Sequence, residues 1–472
     1  MHFSEKDIQN YIWENRADWE ALVEPLELPD VYQFSDDLSD LTPELLLHNQ
    51  TLERVEAVYD SISELELFGC EVPLEKASNS TIRADFLTLS SHETSVVVIE
   101  LKKSFQTERQ AFTELLAYSN HLTNLFPGMC REDITYVLIS PMNTRIVREA
   151  FIQTLIFDKR PICALVPKLS DESDISTLKL CPWIPSLEEM VNFTQAAFHP
   201  CNLDVCKVVW EYSERVWDPP VNEPINDQLI NQLDSVASMA AQLMEQQGIH
   251  GFAYCSQLWS ELSQSLPFTN SLVIVGLNPY AIASSIYSKE NEREEEEPEF
   301  YTRYIPEISE IILGLSKSKN TNSYSDDPLS RLHHGWRSHL FNIAFKAVRL
   351  ATKTTDGCLH IDYGSMTWAE YQMLPMEDIH CTNCAVRATG IVRDLFWKVV
   401  NLDYDVAAKV GIRNHPVHED MFYSAIEALN NNWDFRDFIK RMFGESTDIN
   451  LRPIISNFRS YDENDSCLEP PF

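Results

Sequence analysis

The sequence predicts an α/β protein, a mixed central sheet flanked by helices, joined to a second domain that is mainly helical. Three observations carry this expectation. Between Thr81 and Leu169, short blocks rich in β-branched residues alternate with stretches of helical period. One block, Asp133–Pro141 (DITYVLISP), is an unbroken apolar run of the kind buried on both faces of a sheet. Beyond residue 226 apolar stripes recur at helical spacing, most clearly from Asn226 to Gln247.

Taken in order, Ser4 to Leu22 reads as the first helix. Ser4 caps it, Asp7 stands where a capping-box acid belongs, and Ile8, Tyr11, Ile12 and Trp19 form its apolar face. Residues 29–45 are acidic, carry Pro29 and Pro43, and read as a loop. Helical period returns over Leu52–Leu65, with Val55, Val58, Tyr59 and Ile62 on one side. Leu67–Lys76 is the first expected strand. Thr81–Ser90 and Ser95–Lys103 follow as a hairpin, because the polar step between them suits a tight turn. A helix over Gln106–Leu122 rests on Phe112, Leu115, Leu116 and Leu122. After the Asp133–Pro141 strand come a helix from Thr144 to Phe157 and a strand over residues 161–169. The chain then reads as irregular to Pro224, and Trp217–Pro224 (WDPPVNEP) reads as a linker. The expected division is residues 1–216, a linker over 217–225, and residues 226–472. In the last part Leu229, Leu233, Val236, Met239 and Leu243 stripe one long helix. Ser271–Tyr280 reads as a short strand or buried segment, and Lys289–Phe300 as a solvated charge run.

Composition narrows the setting. Hydrophobic residues make up 44% and charged ones 23%, the balance of a globular chain and not a disordered one. No apolar run is long enough to span a bilayer, so no membrane partner is expected. Met1–Asp7 has no basic region leading into an apolar stretch, so no signal peptide is expected. Eleven scattered cysteines read as mostly buried thiols in a reducing compartment, which makes a cytoplasmic location the expectation. The formal net charge is −35, a field that opposes the approach of another polyanion. A nucleic-acid partner would therefore need a locally basic groove or contacts supplied by another protein.

The chemistry concentrates between Thr81 and Leu122. A tight turn centred on His92 and Glu93 sets Asp85 opposite Glu100. Strand side chains alternate faces, so Glu100 and Lys102 then project to the side of Asp85. Two carboxylates and an ammonium gathered on an apolar hairpin are costly unless a cation or a substrate completes them. On the helix that follows, Gln110, Glu114 and Tyr118 share a face at i, i+4 and i+8. The alternative is a surface ion-pair ladder, which stabilises only weakly.

This arrangement of Asp-x14-Glu-x-Lys across a hairpin, followed by a helix whose polar face ends in Tyr, resembles the PD-(D/E)XK nuclease superfamily. ADFL, VVVIELK and ELLAY are closest in flavour to the NucS-like and Shedu-like groups, over roughly residues 50–170. SEKDIQNYIWEN also resembles the opening helix of the NucS-like group, which carries an acid near the metal site; Glu5 is the matching position, and the bland reading is a solvated first-turn acid. Glu53 and Glu56 are alternatives for that acid. Glu71 lies on the strand resembling the one before the Asp strand, and either joins the site or pairs at the sheet edge.

The resemblance implies a metal-dependent endonuclease. Asp85 and Glu100, with the backbone carbonyl of Leu101, would bind Mg²⁺ or Mn²⁺, hard cations that favour oxygen and keep several waters. Lys102 would orient the nucleophile and offset charge in the transition state, and Tyr118 would place the lysine or a phosphate. Related nucleases often carry Gln where Glu114 stands, so Glu114 is an extra ligand or the mark of an altered or inactive site. The implied partner is nucleic acid, DNA before RNA, and the implied setting is bacterial defence against phage, with repair as the alternative. A catalytically silent scaffold on the same fold is the second reading.

A separate set, Cys358, His360, Cys381 and Cys384, offers four ligands for a structural Zn²⁺, against the plainer reading of buried thiols. Arg331 to Lys353 is locally basic, with Arg337, Lys346 and Arg349 between, and reads as a phosphate-binding surface or as an ordinary amphipathic helix. A protein partner or a second copy of the chain is expected to engage the second half.

Overall fold

The computed structural model describes residues 3–34, 42–73, 83–92, 94–103, 105–186, 189–190, 198, 200–211, 217–218, 223–224, 227–258, 268–281, 328–353, 358–372, 381–383 and 386–409. The chain forms two compact units, Met1–Gln33 with Glu44–Phe193, and Phe34–Pro43 with Thr194–Phe472.

The first unit opens with α1, Glu5–Glu14, whose N-terminus is closed by the Ser4–Asp7 capping box. The expected single helix to Leu22 is broken at Asn15. The Asn15 side chain and backbone amide both bond back to the Tyr11 carbonyl, ending α1, and a 3-10 turn leads into α2, Trp19–Leu22. The Trp19 indole N–H then donates to the Ile62 carbonyl at 2.9 Å, tying this segment to α3, Pro43–Ile62. That helix starts earlier than its apolar period suggests, because a proline is well placed at a first helical position.

The sheet of this unit has six strands: β1 Gly69–Pro73, β2 Arg83–Leu89, β3 Val96–Leu101, β4 Ile134–Ile139, β5 Ile162–Leu169 and β6 Leu178–Trp183, side by side in that order. β1, β2 and β3 form an antiparallel meander, β3–β4–β5 run parallel, and β6 returns antiparallel. The parallel steps need crossovers, supplied by α4, Phe105–Leu125, and by α5, Arg145–Ile152, which runs on into a wider turn over Gln153–Phe157. Every residue of β4 is buried, as an unbroken apolar run requires. The mixed sheet flanked by helices agrees with expectation; β6 was not expected. Its Lys179 and Pro182 disguise it, yet both are tolerable on an edge strand.

The second unit carries the expected helices and, beside them, an antiparallel sheet that was not expected. Its elements are β7 Leu203–Trp210, a two-residue hairpin of β8 Trp217–Asp218 and β9 Glu223–Pro224, α6 Asp227–Gln246, β10 Gly251–Leu258, β11 Asn270–Leu277, α7 Pro328–Thr352, β12 Leu359–Thr367, α8 Trp368–Gln372, β13 Cys381–Asn383, β14 Arg387–Thr389 and α9 Gly390–Lys409. The strands form an antiparallel sheet in the order β12-β7-β11-β10-β13, with β14 also on β10. α6 and α7 cover one face, burying Leu233, Val236, Leu340 and Val348 against Val208, Cys255 and Ile274. The compact units divide between Phe193 and Thr194, where the sequence reading places the division after residue 216. β7 pairs along its length with β11 and β12, which holds residues 203–210 to this unit, and the expected linker becomes the small β8–β9 hairpin inside it. Lys289–Phe300 and Cys384 lie outside the described residues.

Among the described residues no helix is long and apolar enough to cross a membrane. Cys163, Cys206 and Cys255 are buried, whereas Cys130, Cys201 and Cys358 are exposed.

Candidate active site

The expected hairpin forms with the expected register. Phe86 pairs with Ile99 and Leu89 with Val96, which sets Asp85 level with Glu100 one step beyond. The turn is closed by Ser90, whose amide donates to the Ser95 carbonyl and whose hydroxyl accepts from the amides of Thr94 and Ser95. On β1, Glu71 falls between the Cys70–Phe86 and Val72–Ala84 pairs, level with Asp85. The backbone positions of Glu71, Asp85 and Glu100 thus fall level across β1, β2 and β3.

Glu100 is 1% exposed and Lys102 7%. The Lys102 ammonium makes a close ion pair with Glu100 Oε1 and a second, at 2.7 Å, with Glu114 Oε2 on α4. Glu100 Oε2 is buried without a donor, and Glu114 stands beside it within hydrogen-bonding reach. Two acceptors so placed need a proton or a cation between them. Burial, then the charge of Asp85 and the contact with Glu114, push the Glu100 carboxyl up to about 9. Burial works against the Lys102 ammonium, but Glu100 and Glu114 outweigh it and hold its pKa above the ordinary value. Burial would likewise raise Glu114, and its bonds to Glu100 and Lys102 bring it below the usual range.

Asp85 is held from two sides. The Leu101 backbone N–H donates to Oδ2 at 2.8 Å, and the Gln9 side-chain amide donates to Oδ1 at 3.0 Å. Burial nonetheless pushes its carboxyl up to about 6, with Glu5 and Glu114 adding to the rise. Gln9, 4% exposed, was not expected in the site. The signal for it was its place one turn after Glu5 on α1, between the apolar Ile8 and Ile12. α1 is seated by those two residues in the core and by Trp13 stacked on Phe86, next to Asp85.

Glu5 enters the same neighbourhood, accepting from the Lys103 backbone N–H at 3.1 Å. Glu71 does not join the carboxylate cluster; it pairs with Lys6 at 2.5 Å on the surface, in a left-handed backbone conformation (φ 50°). Lys6 also donates to Gln9 Oε1 at 3.0 Å, so Glu71 reaches Asp85 only through Lys6 and Gln9. Glu53 and Glu56 are exposed on α3. Tyr118 is buried with its hydroxyl donating to the Arg83 carbonyl at 2.6 Å, which ties α4 to β2; burial and the nearby Glu100 and Glu114 raise its pKa.

Among the described residues no three His, Cys, Asp or Glu side chains converge at metal-holding distances. A hard divalent cation needs fewer, one or two carboxylates with waters, and the donor-poor Glu100 Oε2 beside Asp85 fits that demand. Of the four expected zinc ligands, Cys384 lies outside the described residues. Cys358 and His360 belong to the β12 edge and Cys381 to β13 at the other edge, with β7, β11 and β10 between. Four strand spacings of about 4.8 Å separate them by roughly 19 Å, whereas the ligands of one Zn²⁺ all lie within about 2.3 Å of it.

Fold and site together define an α/β protein with a buried acid–lysine centre at the mouth of a β-hairpin. No family model, curated protein or solved structure matches the chain.

Proposed function

We propose that the first unit is a Mg²⁺- or Mn²⁺-dependent hydrolase of nucleic-acid phosphodiester bonds. The observation that carries this reading is the buried, donorless Glu100 Oε2 beside Asp85, with the Lys102 ammonium alongside. Asp85 and Glu100 would hold the ion, and the Leu101 carbonyl is the third donor that the resemblance implies. When bound, such an ion lowers the pKa of water and offsets phosphate charge. The chain's own groups do the rest. Gln9 and the Leu101 amide hold the Asp85 carboxylate in one orientation. Lys102 stays protonated, so it serves as a fixed positive charge for the phosphate in the transition state and not as a base. Tyr118, committed to the Arg83 carbonyl, positions α4 and with it Glu114.

The test is cleavage of supercoiled plasmid, linear duplex, single-stranded DNA and RNA with Mg²⁺, Mn²⁺ or EDTA. Wild type is compared with Glu100→Ala and Lys102→Ala. Metal-dependent cleavage reduced by about 100-fold or more in both variants is expected. Equal cleavage by wild type and Lys102→Ala would sink the reading.

One observation favours a second reading, a silent scaffold. Lys102 is ion-paired to both Glu100 and Glu114, so the cluster largely satisfies itself. Partner binding without cleavage, in a protein that takes up no Mg²⁺ by calorimetry, would decide for it.

A further inference from the structure

We propose that Lys6, braced by Glu71, is a positioning residue of the first unit's centre. It fixes which end of the Gln9 amide faces Asp85, and so how the Asp85 carboxylate is turned.

Lys6 and Gln9 stand three residues apart on α1 and share a face. The Lys6 ammonium donates to Gln9 Oε1 at 3.0 Å and to Glu71 Oε1 at 2.5 Å. Gln9 Nε2 in turn donates to Asp85 Oδ1 at 3.0 Å. The bonds thus run in one direction, from Lys6 through Gln9 to Asp85. A side-chain amide is nearly symmetric in shape, and its partners decide which end is oxygen. An ammonium has only donors, so it takes the oxygen end and leaves the N–H end for the carboxylate. Turned over, Gln9 would set its oxygen against Asp85, two acceptors with no proton between them. Gln9 is 4% exposed, so little water is at hand to relieve that contact. The Leu101 amide already holds Asp85 Oδ2 at 2.8 Å, which leaves the other oxygen to Gln9.

Glu71 shows where the arrangement is strained. It sits inside β1, between the Cys70–Phe86 and Val72–Ala84 pairs, with φ at 50°. That conformation is costly for a residue with a β-carbon. The pairs on either side keep one register, so no bulge accounts for it. Nor does the ion pair with Lys6 offset the strain. The two side chains are 53% and 48% exposed, and exposed pairs stabilise little. The pair's effect is on place: it holds the ammonium at Gln9 Oε1.

The effect on cleavage rests on the reading of Asp85 as a ligand of the ion. The direction of the amide does not, so the two are measured separately. Full-length protein carrying isotope-labelled glutamine is studied by NMR in EDTA, with the Gln9 side-chain amide assigned by its loss in Gln9→Leu. Exchange of its protons with water is expected to be slow in wild type and in Lys6→Arg. In Lys6→Met it should be about 5-fold faster, the worth of one hydrogen bond. Equal exchange in Lys6→Met would overturn the proposal, whatever the protein cleaves. Lys6→Met should also lower Mg²⁺ affinity and kcat by roughly 3–10-fold without moving KM for nucleic acid, and Lys6→Arg should restore them. Because Lys6 acts through Gln9, adding Lys6→Met to Gln9→Leu should change nothing further. A loss that adds in full to that of Gln9→Leu would overturn the proposal. So would weaker nucleic-acid binding in EDTA with a salt slope flatter by about 0.9, which would make Lys6 a direct phosphate contact. Melting curves check that each variant is folded. If wild type neither takes up Mg²⁺ nor cleaves, the hydrolase reading falls, and the exchange measurement still decides the role of Lys6.

Discussion

At the scale of single residues, the site is an exercise in where one proton resides. Unfolded, Glu100 titrates near its ordinary 4.5; folded, near 9. The native state holds that proton longer, so its contribution to stability is full below pH 4.5 and is lost as pH climbs through 9. Asp85 adds a smaller loss of the same sign between 3.8 and about 6. Denaturation midpoints measured in EDTA from about pH 5 to 9 should therefore fall with pH, and fall less in Glu100→Gln. Parallel curves would mean that Glu100 is ionised in the native protein. Gln9→Leu, which strips a donor from Asp85, should weaken Mg²⁺ affinity or cleavage by about 10–100-fold while melting near wild type. Wild-type Mg²⁺ affinity and activity in that variant would remove Gln9 from the site. Asp85, Glu100, Lys102 and Glu114 were legible in sequence because strand and helix periods alone bring them together. Gln9 was not, because its contact with Asp85 spans 76 residues and depends on how α1 docks.

At the scale of elements, the first sheet was easier to read than the second. β3 and β4 are apolar runs with few interruptions, whereas β7 carries Asp204 at its start and Lys207 in its middle. Those charges are buried yet answered, Asp204 by Arg337 and Lys207 by Asp362 at 3.1 Å. A charge satisfied from a distant helix or strand looks, in sequence, like a solvated one. That is why residues 203–210 read as irregular. The Asp204–Arg337 pair also fastens α7 to the sheet, and removing one partner of a buried pair leaves the other uncompensated. Arg337→Ala should cost about 3–5 kcal/mol in urea denaturation, and Asp204→Asn/Arg337→Met much less. If the single change cost under about 1 kcal/mol, solvent would have to reach Asp204 in its place.

At the scale of the whole molecule, a net charge of −35 is self-repulsion that the fold must withstand. Salt screens it over a Debye length of about 10 Å at 0.1 M, so Tm should rise from low to moderate NaCl. A falling Tm would show that attractive pairs such as Lys102 with Glu114 dominate instead. One further consequence comes from α1. Glu5 and Gln9 reach Lys103 and Asp85 from the first turns of the chain, while the sheet beneath them is built from residues 69 to 183. A protease that nicked the chain just past Gln9 would leave a preparation with its sheet in place but its centre half dismantled. Preparations would then differ in how firmly Asp85 is oriented, according to how much of α1 each retains.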